Sequence, residues 1–392
     1  MKNWLSILSK YSIFGLVRQG FFILNGRVIT LRPKGVSRGR VLLSFTTLPF
    51  TLLDRNTFLT HSNYWTSYDI ANTFLERGYI VDVIDFDNKE FIPKKNYDYF
   101  IDICANIGRI APLLSKTCIK IYYATGAYWE FQNIAEQLRI TALQKRRGVR
   151  LLPRRQLDTP HLIEYADIIS GGCGTFAAST YERFKKPIKM VPVISTNEYE
   201  FMEHKNYEQA RKHFVWFGGV GAVHKGLDLV LEAFALMPEY SLTVCGKFVN
   251  EKDFIDTYRK ELFETPNIQA VGFVHLDSPQ FLSIMEMSIA AVFVSCSEGG
   301  GGSVITCMHA GLLPIVNKES SVAVEDFGVM LVDSTVTEIQ QTVRRIASTD
   351  PEILRTRSRA SWNYARNHHS KKGTAKQFRL LVDSIEDAKK IS

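Results

Sequence analysis

VSCSEGGGGSVITCMHAGLLPIV, residues Val294–Val316, sets the fold class. It leaves the apolar run Ile289–Ser295, crosses Ser297-Glu298-Gly299-Gly300-Gly301-Gly302-Ser303, and resumes as a helical pattern over Ser303–Ala310. A second apolar run, Leu313–Asn317, follows. Strand, glycine turn, helix and strand in that order make a unit of a parallel α/β sheet. Each ordered glycine costs about 0.5–1 kcal/mol relative to alanine inside regular structure. Four in a row therefore suggest a main chain kept bare for close approach. The helix behind them offers free N–H groups and the positive end of its dipole, which suits an anion. A flexible turn is the plain alternative; the strand-to-helix position favours phosphate.

The same alternation extends outward in both directions. Upstream, Phe214–Phe217, Ser241–Cys245 and Ile268–Val271 read as strands, and Gly226–Leu236, Glu251–Phe263 and Pro279–Met287 as helices. In the first half the strands are Arg40–Phe45, Tyr79–Asp85, Tyr99–Cys104, Ile119–Ala124, Ile168–Ser170 and Ile188–Val193, with a helix over Tyr64–Arg77. The polar stretch Ser195–Lys212 reads as a linker between two such units. Two doubly wound domains place a cleft between them, with ligands at the carboxyl ends of the strands.

A second motif follows the first strand of the second unit. Phe217-Gly218-Gly219 allows close approach to a diphosphate, and His224-Lys225-Gly226 brings a compact positive charge to the start of the next helix. Alone, Lys225 reads as a solvated lysine; beside the glycine loop it reads as a phosphate ligand. The spacing is not that of a dinucleotide fingerprint: Gly219 and Gly221 fit, but His224 stands where the third glycine belongs. No P-loop, no H-E-x-x-H and no G-x-S-x-G is present.

The segments Phe217–Gly246, FGGVGAVHKGLDLVLEAFALMPEYSLTVCG, and Val294–Val316 resemble the family 4, or group 1, glycosyltransferases. The resemblance covers residues 210–370, and is weaker over HSNYWTSYDIANTFLERGYIVDVIDF, residues 61–86. It implies a GT-B fold of two Rossmann-like domains facing a cleft, an acceptor site in the first domain and a nucleotide-sugar donor in the second. It implies no metal and no bound cofactor, because basic residues and helix dipoles hold the diphosphate. By position, Lys225 would contact the diphosphate and Glu298 would open the E-x7-E motif, on the donor sugar's hydroxyls. Gly218, Gly219, His224, Gly300, Gly301, Gly302 and Ser303 would line the phosphates, and Gly272, Phe273 and Val274 would face the base. The chain departs from the pattern at three places. Thr306 stands where the second Glu belongs, Gly219 where an Arg accompanies the lysine, and Thr125 where the first domain carries a His. His224 or an arginine of the first domain is left to complete the cationic clamp.

On the acceptor side, Thr125 and Gly126 follow a strand end, with Trp129 and Glu130 just beyond. Aromatics beside a carboxylate suit a sugar ring, as they suit core packing. His61 and Asn63 enter the first helix, where Ser62 and Asn63 also qualify as caps. Lys145, Arg146, Arg147, Arg150, Arg154 and Arg155 read as a solvated face or as a surface for an anionic acceptor.

Length and charge complete the plan. The 392 residues suit two domains. We expect an N-terminal segment over 1–39, an acceptor domain over 40–200, a donor domain over 201–370, and a closing helix over 371–392 packing back on the first domain. Lys and Arg number 48 and Asp and Glu 40. Eight of the basic residues, and no acid, fall in residues 1–40, so the remainder is formally neutral and no nucleic-acid partner is expected. Trp4, Ile7, Leu8, Tyr11 and Phe14 share one helical face, which predicts peripheral attachment to an anionic membrane. Arg18 and Gln19 interrupt the one long apolar run, which excludes a spanning helix there. The six cysteines form no C-x-x-C pair and read as reduced core residues of a cytoplasmic protein. The expected reaction is sugar transfer to a glycan or glycolipid hydroxyl. The rivals are a nucleotide-sugar epimerase or hydrolase on the same fold, and a non-catalytic sugar-nucleotide or glycan-binding subunit of a polysaccharide assembly complex.

Overall fold

The computed structural model describes residues 27–51 and 61–391. The amphipathic stretch Trp4–Phe14 lies outside the described residues.

The first domain holds a seven-stranded sheet: β1 (Ile29–Leu31), β2 (Gly39–Phe45), β3 (Tyr79–Asp85), β4 (Tyr99–Asp102), β5 (Ile119–Ala124), β6 (Ile168–Gly172) and β7 (Ile188–Val191). The spatial order is β1-β3-β2-β4-β5-β6-β7. Only β1 runs antiparallel, pairing with β3. The second domain holds β8 (His213–Gly218), β9 (Ser241–Gly246), β10 (Ile268–Gly272), β11 (Ala290–Phe293), β12 (Leu313–Asn317) and β13 (Val329–Leu331). They lie parallel in the order β10-β9-β8-β11-β12-β13. Both faces of each sheet are covered, and the strands show it. Along β2, Val41, Leu43 and Phe45 enter one apolar cluster while Leu42 enters the opposite one. Along β8, Phe214 and Trp216 face one cluster and Val215 the other.

The longer helices are α1 (Ser62–Glu76), α2 (Trp129–Arg147), α3 (Leu227–Ala235), α4 (Pro279–Met287), α5 (Gly302–His309), α6 (Val336–Ala347), α7 (Pro351–His368) and α8 (Lys371–Ile391). Helix α2 ends on Gly148, whose left-handed φ of 73° lets its N–H reach the Gln144 carbonyl at 2.8 Å. The chain crosses between domains twice, after β7 and between α7 and α8. The crossings are tied together by the His369 Nδ1–H donating to the Val193 carbonyl at 2.7 Å and by the Ser195 N–H on the His369 carbonyl at 3.3 Å. After the second crossing, α8 sends Phe378, Leu381, Val382 and Ile385 into the first domain's core. Among the described residues no helix is long and apolar enough to cross a membrane.

Helix α2 belongs to the first domain's chain, yet its last turns lie on the second. Arg146 pairs with Asp228 at 2.6 Å and Glu232 at 2.9 Å. Arg147 pairs with Glu261 at 2.8 Å and lies over the Tyr258 ring. Arg154, just beyond, pairs with Asp253, and Arg139 donates to the Val294 carbonyl at 3.1 Å. The basic cluster is thus neither a purely solvated face nor, for these members, an acceptor surface. It is half of an ionic seam between the domains.

Candidate active site

The strand order decides where the second domain binds its ligand. From β8 the sheet grows through β9 on one side and β11 on the other. The crevice opens where the order reverses, at the carboxyl ends of β8 and β11. Gly218 ends the first of these strands, and the Glu298 loop follows the second.

Two short straps draw these loops together. The His224 carbonyl accepts from the Cys296 N–H at 2.8 Å and from the Ser295 hydroxyl at 3.0 Å. Its ring Nε2–H donates to the Ser297 carbonyl at 2.6 Å. Gly226 makes the approach possible: its φ is +74°, and a Cβ there would lie 2.4 Å from the Val294 carbonyl oxygen. The straps set the Lys225 ammonium against the Glu298 carboxylate in a close ion pair. The ammonium also lies 5.4 Å from the centre of the Phe293 ring. Burial alone would raise the Glu298 carboxyl, but Lys225, His224 and Arg155 outweigh it and hold the group below its ordinary range. Beside the pair, Gly219 faces open space, where a Cβ would meet only the Lys225 Cε at 3.9 Å.

The glycine loop differs from the expectation that phosphate occupies all of it. In this closed arrangement most of its bare main chain meets the protein. A Cβ on Gly299 would lie 2.5 Å from the Thr125 carbonyl oxygen, on Gly300 2.3 Å from Val193, and on Gly301 2.3 Å from Val322. The Gly174 N–H donates to the Gly299 carbonyl at 2.7 Å. Gly302 is the open one, and with Ser303 it forms the first turn of α5. The loop is therefore a joint between the domains as well as a route to the helix N-terminus.

Thr306 is buried in α5, its hydroxyl donating to the Gly302 carbonyl at 2.9 Å. It puts no carboxylate where the family's second Glu would be. At the end of β10, Gly272 has φ +81°, Val274 is buried, and Phe273 is 53% exposed. The Lys247 ammonium lies 5.4 Å from the Phe273 ring centre, and the His275 ring meets its edge at 4.9 Å. An exposed aromatic flanked in this way suits a nucleobase. Lys247 escaped the sequence reading because it stands inside an ordinary strand-to-helix stretch.

Across the cleft, Thr125 and Gly126 meet the Gly299 loop. His61 is the N-cap of α1, its Nδ1 accepting from the Asn63 N–H at 3.2 Å, so neither Ser62 nor Asn63 is the cap. Burial, then Lys247 and Arg155, lower the His61 ring below its ordinary value, so both cations lie within electrostatic reach of that ring. Trp129 is the first residue of α2, part-buried in the apolar cluster with Tyr128. It is not gathered with the cleft residues. Among the described residues no cluster of three His, Cys, Asp or Glu is placed to hold a metal.

Comparisons with known proteins bear on the family and the fold. Residues 192–359 match the family described as Glycosyl transferases group 1. Among solved structures, sucrose-phosphate synthase from Thermosynechococcus elongatus is similar at TM-score 0.61 and 13% identity, over 89% of this chain and 99% of that one. HepE from Anabaena in complex with UDP and glucose is similar at TM-score 0.55 and 12% identity, over 88% of this chain and 100% of that one. TarM from S. aureus is similar at TM-score 0.52 and 11% identity, over 72% of this chain and 54% of that one. No curated protein sequence matches the chain. At these identities the solved structures speak to fold alone: the chain has the GT-B fold, and within it residues 192–359, most of the second domain, are similar to the group 1 glycosyltransferases.

Proposed function

We propose that the chain transfers a sugar from a nucleoside diphosphate donor to a hydroxyl of a glycan or glycolipid, with retention of anomeric configuration and without a metal. The observation that carries this is the Lys225–Glu298 pair at the switch point of the second sheet, beside the open Gly219. The ammonium faces the diphosphate, and the carboxylate takes donor sugar hydroxyls. Phe273 stacks the base. Uridine is the first base to try, because solved structures of this fold hold UDP.

In the reaction the bond from the anomeric carbon to the diphosphate oxygen breaks. The acceptor oxygen bonds to that carbon on the same face, and the acceptor proton passes to the departing diphosphate. Catalysis then rests on stabilising the diphosphate's charge and on positioning. His61, Asn63 and the Thr125–Gly126 turn border the acceptor. With such an acceptor the enzyme would serve cell-surface polysaccharide or glycolipid synthesis. It would act in the cytoplasm, peripheral on the inner face of the membrane through residues 1–40.

The three departures from the family pattern, at Thr306, Gly219 and Thr125, favour the rival of a non-catalytic binding subunit. A panel of UDP-, GDP-, ADP-, CMP- and dTDP-sugars, read by thermal shift and then by turnover with and without chelator, decides among these readings. A specific donor at 100 times its dissociation constant stabilises by about 2.7 kcal/mol. Lys225→Ala should cut nucleoside diphosphate binding by about 1.5–3 kcal/mol, the range for a charge-assisted bond. Binding without transfer to any acceptor supports the subunit; donor consumption without acceptor supports the epimerase or hydrolase; unchanged affinity in Lys225→Ala removes the lysine's role.

A further inference from the structure

At the Gly218-Gly219 turn the second domain supplies one ammonium, Lys225, already shared with Glu298; its other cation at the cleft, Lys247, lies against the Phe273 ring. Position 219, from which an arginine would project beside Lys225, is a glycine facing open space.

The missing charge stands on the other domain. The chain leaving α2 doubles back at Glu136, whose carboxylate accepts from the Arg154 N–H at 3.0 Å and from the Arg155 N–H at 3.0 and 3.1 Å. The Gln132 amide donates to the Arg155 carbonyl at 2.5 Å. Glu136 is 1% exposed and also faces His224 Nδ1 at 3.6 Å. The Arg155 backbone is therefore fixed from both sides, in register with the donor loop. Its stem crosses that loop: a Cβ on Gly221 would lie 2.9 Å from the Arg155 Cγ and 3.4 Å from its Cδ. Any side chain at 221 would push the arginine away.

Its neighbours differ from it. Arg146, Arg147 and Arg154 are each neutralised by a carboxylate of the second domain. Among the described residues Arg155 has no carboxylate within ion-pair distance, and it is exposed. Its field nevertheless reaches Glu298 on one side of the cleft and His61 on the other. A guanidinium held rigidly at its backbone, unpaired at its head, and laid over a phosphate-binding turn is arranged for a bidentate anion.

We infer that Arg155, carried by the first domain and set by Glu136, is the second cation for the donor's diphosphate, in place of the arginine absent at position 219. This rests on the glycosyltransferase reading of the Lys225–Glu298 site. It has a consequence that Lys225 alone does not. Arg155 and Lys225 lie on different domains, so the diphosphate bridges the cleft and favours its closed form, whereas a nucleoside monophosphate offers less charge to be shared.

The test is calorimetric titration of the full chain with UDP and UMP. Arg155→Met keeps the stem on Gly221 and removes only the charge; Arg150→Met is a control from the same cluster. Arg155→Met should weaken UDP by about tenfold or more, the range for one charge-assisted bond, and UMP much less. Arg155→Lys should recover part of the loss, and Arg150→Met should leave both ligands unchanged. Unaltered UDP binding in Arg155→Met overturns the inference while leaving the donor site standing. Equal losses for UDP and UMP also overturn it, since they show a role in shaping the loop. If the unsubstituted chain binds none of the uridine, guanosine, adenosine or thymidine diphosphates, the donor-site reading fails first and takes this inference with it.

Discussion

Glu298→Gln separates sugar recognition from nucleotide binding. The substitution keeps the shape of a side chain that is 14% exposed and removes one negative charge. In the structure that charge faces the Lys225 ammonium, with the Ser295 hydroxyl donating at 3.3 Å. If the carboxylate takes one donor-sugar hydroxyl, its loss removes a charge-assisted bond of about 1.5–3 kcal/mol. Realised in the transition state, that is roughly a 10- to 150-fold fall in turnover. The diphosphate should respond in the opposite sense. With no carboxylate beside it, the ammonium keeps its full field for the phosphates, so free UDP should bind as well as before or more tightly. Stability also changes, because Lys225 is left part-buried without its partner, at about 1–3 kcal/mol. Steady-state turnover, UDP titration and denaturant unfolding on the same preparation keep these effects apart. Normal turnover in Glu298→Gln would refute the sugar role. Loss of UDP binding would place the carboxylate on the ribose or on the support of the loop.

Two further predictions concern parts of the molecule away from the donor. Burial pushes His309 down to about 4, below its ordinary value near 6.5, and Asp102 up to about 6. Above pH 6.5 the histidine is neutral in both states; between 6.5 and 4 the unfolded chain takes a proton that the folded one refuses, so its contribution lowers stability as the pH falls. Asp102 acts in the opposite sense below 6. The difference between wild type and His309→Gln isolates the first effect: the variant should lose about 2 kcal/mol less on going from pH 7 to pH 5 by denaturant unfolding, and equal losses would show that His309 is not held neutral. The whole chain should co-sediment with anionic liposomes at low salt, each basic residue near the surface contributing about 1 kcal/mol, and a chain beginning at Arg38 should not. If both stay in the supernatant, the membrane assignment falls.

What the sequence made legible was local. The stretch from Ile289 to Val316 reads correctly as strand, turn, helix and strand because each step is decided within a few residues: β11 is apolar at every position, and serines and then glycines follow it. The two short edge strands β1 and β13 escaped because three residues carry no period to detect. The span Glu251–Phe263 reads as one helix but is two, Lys252–Thr257 and Arg259–Phe263, broken at Tyr258. That ring is fully buried, and Arg147 of the other domain lies on its face. A tertiary contact thus falls where the helical pattern gives no warning. Helix α2 was hidden differently. Its first turn, Trp129-Glu130, resembled a binding loop, and its last turn, Lys145-Arg146-Arg147, resembled a charged surface.

The site was legible in proportion to how much of it lies on one domain. Lys225 and Glu298 follow consecutive sides of a single switch point, and the motif spacing carries them together. Arg155 and Glu136 lie about 70 residues or more before Lys225 and reach the site only because α2 lies along the second domain's flank. Nothing in the charge pattern separates Arg155 from Arg154; the difference is Asp253, which lies within reach of one and not the other. The pairing of a residue in an interdomain cleft is set by the partner surface, so of six basic residues that look alike in sequence Arg146, Arg147 and Arg154 form the ionic seam and Arg155 instead lies over the Gly221 turn. Replacing Asp253 with Asn should therefore loosen the seam without touching the diphosphate, whereas replacing Glu136 with Gln should disturb both, because Glu136 holds the backbone of Arg154, which the seam pairs, and of Arg155, which it does not.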